Sequence, residues 1–484
     1  MNTPFFPSFR SRLAAWGRRT AQTLRQATLS QLQEQLRDLL PAPLLSREED
    51  GLNSRQRDFP LRLTFECFLW QMLKPRTACR EVVRQVQALR TLLGLAPISE
   101  SDSAYVQARL RLPKERLEKA LSATAQSAER RVGQGAPLQG RPVKVADGSS
   151  TQLADTPANQ KTYPQPRSQK PGCGFPVMKF VVLFSLGSGA VLNVLLGNLH
   201  HHDLRRLRGL WDALKKGDIL LGDRAYGEYT TLAGLPQQGV DVVARLHARS
   251  KVDFRKGRRL GKNDGLFVWT KGCQPSEILA PQEWDLLPAQ ITVRILRFTA
   301  VIRGFRNRRI TLVTTLLDPK LYPAQELVAL YARRWRLELC LRDLKTTLGM
   351  EQLRCKTPAM AQKELLAYLV AHNLVRCVRA EAVAAHQVEL ERVSFKGSVD
   401  ALRQFSDALG RASNRKRRRQ LWKQLLLALA RDLVPLRPNR TEPRAVKRRS
   451  KPFALLNQPR RKFVEISHRG SYWKGRPRNY RGLN

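Results

Sequence analysis

The chain has 484 residues, of which 42% are hydrophobic and 26% charged, so it is long enough for about three domains with buried cores. Its 86 lysines and arginines against 40 aspartates and glutamates give a formal net charge of +46. The mutual repulsion of so many positive charges gives no advantage to an enzyme of small metabolites. It favours binding to a polyanion, because each neutralised phosphate releases condensed counterions. The composition favours nucleic acid as the partner, with an anionic membrane surface as the second choice.

The cysteines and the N-terminus bear on the compartment. The seven cysteines are odd in number, widely spaced and without a CxxC pair, which argues against a disulfide framework and against a zinc ribbon. The N-terminus has no apolar segment typical of a secretory signal. We therefore expect a reducing, cytoplasmic location.

The first 246 residues divide into two regions with different predicted secondary structure. Residues 1–135 are predicted to be mostly helical, and an α/β region is predicted over 136–246. The uncharged run at 180–199 has the length of a membrane span, but Ser-Leu-Gly-Ser-Gly in its middle favours two strands joined by a turn. Further apolar strands at 142–147, 218–223 and 240–246 make five in all, with helices between them, which predicts an open mixed sheet.

The second half of the chain divides into three further regions. Residues 247–322 alternate as strands and are predicted to form a β-rich insertion, and 323–385 are predicted to form two long helices. The last part, 386–484, is basic: residues 411–484 hold 23 lysines and arginines but only three acidic residues. We expect this extension to be partly disordered alone and to bind DNA without sequence preference.

Two aspartates stand where apolar strands end. Asp147 ends the first predicted strand and Asp223 ends the fourth. Ligands of open α/β sheets bind at the carboxyl ends of strands, so both side chains could hold a metal. Each aspartate alone could equally cap the following turn, and the pair therefore needs a third member.

The predicted helix after residue 323 carries a polar strip. At about 100° per residue, Tyr331, Arg334, Glu338, Arg342 and Lys345 fall within an arc of about 80°, apart from a row of leucines that forms the core face. An ordinary i, i+4 salt bridge would account for Arg334 and Glu338 only. The strip thus combines one carboxylate, one aromatic hydroxyl and three cations.

These residues carry a family resemblance. The spacing Y-(2)-R-(3)-E-(6)-K from Tyr331 to Lys345 matches the signature of the insertion-sequence-4 group of bacterial DDE transposases, and VADGSS around Asp147 and LLGDRAYG around Asp223 resemble its first two catalytic blocks. The resemblance touches most of residues 60–380. It implies a ribonuclease H-like catalytic core, a mixed five-stranded sheet with flanking helices, interrupted by the β-rich insertion.

The resemblance also implies the site and its chemistry. Asp147, Asp223 and Glu338 would be the catalytic, metal-binding carboxylates. Tyr331, Arg334 and Lys345 would hold phosphates at the element end. Two Mg²⁺ ions, with Mn²⁺ tolerated, would serve metal-dependent cleavage and then strand transfer of 3′ hydroxyls into target DNA.

More peripheral assignments follow from the same resemblance. Arg224 would face DNA, and Trp269 and Trp284 are candidates for stacking on a flipped base, although core packing is the alternative for both tryptophans. Residues 1–135 would recognise the DNA ends, and a homodimer acting in the nucleoid would pair two ends of double-stranded DNA; no membrane or small-molecule substrate is expected. A related nuclease that does not join DNA, or a domesticated DNA-binding protein without catalysis, remain the alternatives.

Overall fold

The computed structural model describes 42–46 and 57–435, with gaps at 93, 133–137, 200–207, 248–249, 251, 273–278, 301–307, 411 and 413, and then 456, 458–459 and 462–463. The expected recognition role of the first 41 residues lies outside these described residues, as does the expected disorder of the basic extension beyond residue 435, apart from the five residues just named.

The chain folds as a mixed α/β protein. The helices are α1 Leu61–Leu73, α2 Cys79–Leu92, α3 Ser103–Arg111, α4 Lys114–Val132, α5 Pro157–Thr162, α6 Tyr229–Gln237, α7 Pro281–Asp285, α8 Ala324–Arg333, α9 Trp335–Arg342, α10 Pro358–His386, α11 Phe395–Gly410 and α12 Arg415–Arg431. The strands are β1 Val143–Gln152, β2 Val177–Ser185, β3 Val191–Asn198, β4 Ile219–Gly222, β5 Asp241–Arg245, β6 Arg258–Gly261, β7 Asp264–Thr270, β8 Gln290–Ala300 and β9 Arg308–Thr314.

All nine strands belong to one sheet, in the order β3-β2-β1-β4-β5-β9-β8-β7-β6. Strands β1, β4 and β5 are parallel to one another, and β2 pairs antiparallel with both β1 and β3. The prediction of a five-stranded sheet is wrong in size, because β9 pairs antiparallel with β5 and so continues the sheet into the insertion. This pairing satisfies the backbone groups that β5 would otherwise leave open at an edge.

Alternate residues of the central strands enter two different cores. Val145, Leu221 and Val243 belong to one apolar cluster, whereas their neighbours Leu220 and Val242 belong to another on the opposite face. Successive side chains of a strand point to opposite faces, so the sheet is covered on both sides. We call these the first face, which includes Val145, and the second face, which includes Val242.

The first face is covered by long helices. Helix α10 is 29 residues long, most of its side chains are buried, and Thr357 caps its start by accepting a hydrogen bond from the Met360 N–H. Its residues share the first-face core with α1, α4, α8 and α9. The apolar run at 180–199 forms β2 and β3, joined by a turn, and no helix in the described part of the chain is long and apolar enough to cross a membrane.

The helix predicted after residue 323 is divided. Helix α8 ends at Arg333 and α9 begins at Trp335, so that Arg334 lies at the junction, and a π-helical turn follows over Asp343–Thr347. The buried Asp343 pairs with Arg376 of α10 at 3.3 Å, which ties this turn to the core. Helical periodicity predicted the polar strip, but it did not predict these two interruptions.

Candidate active site

Asp147 lies in the middle of β1 and not at its end as the sequence predicted, because the strand continues to Gln152. Its parallel neighbour β4 pairs only with residues 143–145 of β1. On the other side Asp147 is paired with Val182 of β2. The carboxylate is therefore open toward the end of β4 and is only partly buried, unlike an aspartate enclosed by neighbouring strands on both sides.

Asp223 directly follows β4 and lies next to this opening. Val145 and Leu221 are register partners, so each aspartate stands two residues beyond the same paired row. The Asp223 side chain also accepts a hydrogen bond from the Ala225 N–H at 2.9 Å, which starts a short 3-10 turn. Asp223 therefore caps a turn and lies at the end of a strand at the same time.

The carboxylates from three distant parts of the chain line one cavity. It has a volume of about 470 Å³ and is lined by Asp147, Asp223, Arg224, Arg245, Tyr331, Arg334 and Glu338. Six of these residues belong to the set chosen from the sequence, and Arg245 at the end of β5 does not. Three carboxylates and three guanidinium groups therefore face the same space.

Burial and the neighbouring carboxylates both act on Asp147. Burial, with the charge of Asp223 as the second cause, raises the pKa of Asp147 from 3.8 to about 6, and Glu338 acts in the same direction. The charge of Arg334 and the hydrogen bond from the Gly148 N–H oppose the rise. A cation placed among these groups would relieve the repulsion.

Arg334 links the strip to the carboxylates. Its Nη2 lies 3.4 Å from Oε1 of Glu338, and its guanidinium lies 5.8 Å from the centre of the Tyr331 ring. Tyr331 is buried, and burial raises the pKa of its hydroxyl. Lys345 lies outside the cavity lining, but Asp147 is close enough to counteract the lowering of the Lys345 pKa that burial causes.

The insertion anchors the start of this helical segment. Arg294 of β8 is fully buried and binds Asp264 of β7, with Nη2 at 2.6 Å from Oδ2 and Nε at 2.9 Å from Oδ1. Its Nη1 also donates to the carbonyl of Tyr322 at 2.7 Å, just before Pro323, which caps α8. The insertion thereby fixes the position from which α8 and α9 cross the sheet.

Comparisons with known proteins identify the family of this chain. Residues 138–374 match the family described as the transposase DDE domain. Over 346 residues the chain is 26% identical to the transposase InsG of insertion sequence element IS4 from Escherichia coli (strain K12), covering 70% of this chain and 75% of that protein. The chain belongs to the DDE transposases of the insertion-sequence-4 group. A solved synaptic complex of piggyBac transposase with hairpin DNA is similar with a TM-score of 0.40 and 10% identity, covering 84% of each chain.

The protein is thus a DNA transposase with polynucleotidyl transferase chemistry, as the sequence predicted. DDE transposases use divalent metal ions, and the three carboxylate side chains of the cavity are the hard oxygen donors that such ions prefer. In the described residues, however, no three Asp, Glu, His or Cys side chains already stand close enough to hold one ion. The donor types fit the metal, while Glu338 is paired with Arg334.

The two tryptophans considered for base stacking follow the core-packing alternative. Trp284 is 7% exposed and packs near Tyr229 and Lys271 in the second-face core, so its side chain is not accessible to a base. Trp269 is partly buried against the same core. Among the tryptophans that the structure describes, Trp335 is the exposed one: it is 61% exposed and directly follows Arg334.

Arg245 and Trp335 were missed from the sequence for different reasons. Arg245 is the next-to-last residue of the fifth predicted strand, 240–246, and becomes the last residue of β5 in the structure, where ligands of open α/β sheets bind. Trp335 is adjacent in sequence to a signature residue, but only its exposure distinguishes it from the other tryptophans in the described part of the chain.

Proposed function

We propose that Asp147, Asp223 and Glu338 are the catalytic and metal-binding carboxylates that cleave phosphodiester bonds at the element ends. The observation that carries this proposal is their convergence on one cavity from β1, from the end of β4 and from α9. When bound, two Mg²⁺ ions, with Mn²⁺ as a tolerated substitute, would activate the attacking oxygen and stabilise the leaving oxygen.

We propose that the cations of the cavity hold the DNA backbone. Arg334, Arg224 and Arg245 face the carboxylates and can bind phosphate oxygens bidentately, and Lys345 can add a point charge near Asp147. The Tyr331 hydroxyl can donate to a phosphate oxygen. Trp335 offers an exposed ring beside these groups on which a base can stack.

The Arg334–Glu338 pair supports an ordered assembly of the site. Oε1 of Glu338 lies 3.4 Å from Nη2 of Arg334, so the guanidinium competes with a metal ion for this carboxylate. A DNA phosphate is a suitable replacement partner for the guanidinium. We therefore expect DNA and divalent ions to bind cooperatively, because each stabilises the arrangement that the other requires.

We further propose that strands β1 to β5 form a ribonuclease H-like core, which their order and directions support. The proposed domains are the helical end-recognition region 1–135, the core in two parts at 136–246 and 323–385, the insertion 247–322, and the basic region 386–484. Double-stranded DNA is the partner; the homodimer that pairs two ends and the action in the cytoplasm at the nucleoid are part of the proposal.

The test uses the full chain and a plasmid that carries the element ends. Wild-type protein with Mg²⁺ should cleave at the ends, and Asp147→Ala, Asp223→Ala and Glu338→Ala should each lose cleavage while retaining end binding in a gel shift. Asp285→Ala is the matched control, because Asp285 is an exposed carboxylate on α7. Cleavage that persists in the three variants would overturn the assignment.

Strand transfer separates the transposase from the alternatives. Pre-cleaved ends with free 3′ hydroxyls should be joined to a second plasmid by the wild-type protein. Cleavage without joining would indicate the related nuclease, and end binding without either reaction would indicate the domesticated DNA-binding protein.

A further inference from the structure

A second cavity adjoins the aspartates. It has a volume of about 320 Å³ and shares Asp147 and Asp223 with the first cavity. Its other lining residues are Gly148, Ser149, Ser150, Lys179, Val181, Ala225 and Tyr226. None of the residues of α8 and α9 that line the first cavity lines this one.

The strand register places the two cavities on opposite sides of the strand ends. Ser150 and Lys179 are register partners, as are Gly148 and Val181 two residues away, so these four side-chain positions share one face. Val181 and Tyr226 belong to the second-face core, whereas Tyr331 belongs to the first-face core. The aspartates therefore stand between a first-face cavity and a second-face cavity.

The second-face cavity has the groups that hold a phosphodiester. Lys179 is half-buried on β2 and supplies a cation, and the hydroxyls of Ser150 and Tyr226 can donate hydrogen bonds. An ammonium group and two hydroxyls can all bind phosphate oxygens, and contacts to phosphate carry no sequence information, so the cavity suits a backbone of any sequence. A transposase needs such a sequence-independent contact for the DNA into which it inserts.

We propose that the second-face cavity binds the target phosphodiester, with Lys179 as its phosphate-holding residue. This inference rests on the proposed function. The element end would lie against the cations of the first-face cavity, and the target strand would approach the same two aspartates from the opposite side. Two phosphate sites around one pair of carboxylates allow both DNAs to be present at once.

The reaction at this junction is a phosphoryl transfer without net redox change. The 3′ oxygen of the element end forms a bond to the target phosphorus, and the bond from that phosphorus to the target's own 3′ oxygen breaks. The attacking hydroxyl releases its proton to solvent, and the leaving 3′ oxygen takes one up. Lys179 holds a non-bridging oxygen of the target phosphate through this exchange.

The test compares Lys179→Met, which removes the charge and keeps the length, with Lys179→Arg and Ser150→Ala. Lys161→Met is the matched control, since Lys161 is an exposed lysine on α5 outside both cavities. Three quantities are measured: cleavage at the element ends, joining of pre-cleaved ends to a plasmid, and capture of a labelled target duplex by the end-bound protein in Ca²⁺, which does not depend on catalysis.

The ratio of joining to cleavage is the decisive readout, because a folding defect lowers both reactions together. Loss of one charged contact should lower this ratio and target capture by about tenfold or more in Lys179→Met, less in Ser150→Ala, and little in Lys179→Arg. An unchanged ratio, or an equal loss of cleavage and joining in Lys179→Met, would overturn the target site. Absence of cleavage in the wild-type protein would instead overturn the proposed function.

Discussion

Replacing Asp147 by asparagine should stabilise the protein at alkaline pH when no divalent ion is present. Burial and the charge of Asp223 raise the pKa of Asp147 from 3.8 to about 6. At 1.36 kcal/mol per pH unit, ionising this carboxyl in the folded chain costs about 3 kcal/mol. Asparagine removes the charge but keeps Oδ1, which accepts the hydrogen bond from the Gly148 N–H at 2.9 Å.

The sign of the pH dependence follows from the direction of the pKa shift. Because the folded-state pKa of Asp147 is raised, the neutral carboxyl contributes stability that is fully present below about pH 4 and is lost as the pH rises through 6. The advantage of Asp147→Asn should therefore be close to zero at pH 4 and grow between pH 4 and 6. At pH 8 we expect about 2 kcal/mol after allowance for solvent screening.

Thermal unfolding in EDTA at pH 4, 6 and 8 measures this effect. The variant should unfold a few degrees higher than the wild type at pH 8, and Asp285→Asn, at an exposed carboxylate, should match the wild type. Mg²⁺ should narrow the gap at pH 8, because the cation relieves the same repulsion. A variant that is less stable at pH 8, or an advantage that does not change with pH, would refute the reasoning.

Further predictions concern packing, anchoring and DNA affinity. Trp335→Ala should leave the melting temperature unchanged and lower cleavage about tenfold, the cost of one lost base stack, whereas Trp284→Ala should destabilise the fold by about 3–5 kcal/mol in urea unfolding. Arg294→Met leaves Asp264 buried without its partner and should cost about 3–5 kcal/mol, part of which the added Asp264→Leu change should restore. Four glutamines in place of exposed cations on α12 should reduce the salt slope of nonspecific DNA binding by about 3–4, measured by titration of binding against salt; these cations are Arg415, Lys416, Arg419 and Lys423. The control variant for this last experiment carries four glutamines in the insertion instead, in place of Lys256, Arg258, Arg259 and Lys262.

The carboxylates of the candidate site could be predicted from the sequence, because a local sequence pattern marks the position of each one. Asp147 and Asp223 follow apolar runs, and the strip from Tyr331 to Lys345 follows from a constant rotation per residue. The family resemblance then joined the three segments into one site. These local patterns can be recognised without knowing which strands pair.

The features that depend on pairing between distant segments required the tertiary structure. Asp147 is accessible in mid-strand because β4 stops short of it, and the sheet has nine strands because β9 covers the open side of β5. The helix breaks at Arg334 within a segment whose leucines keep one continuous helical face.

The sequence by itself determined that this chain is a basic DDE transposase with three candidate acids in a set order. Tertiary structure decided that a second cavity reaches the same aspartates from the other face, with Lys179 in its wall. The physical reason is that side-chain chemistry and hydrophobic periodicity depend only on residues that are close together in the sequence. Register, strand length relative to a neighbour, and exposure are properties of pairs of segments that meet only when the chain folds.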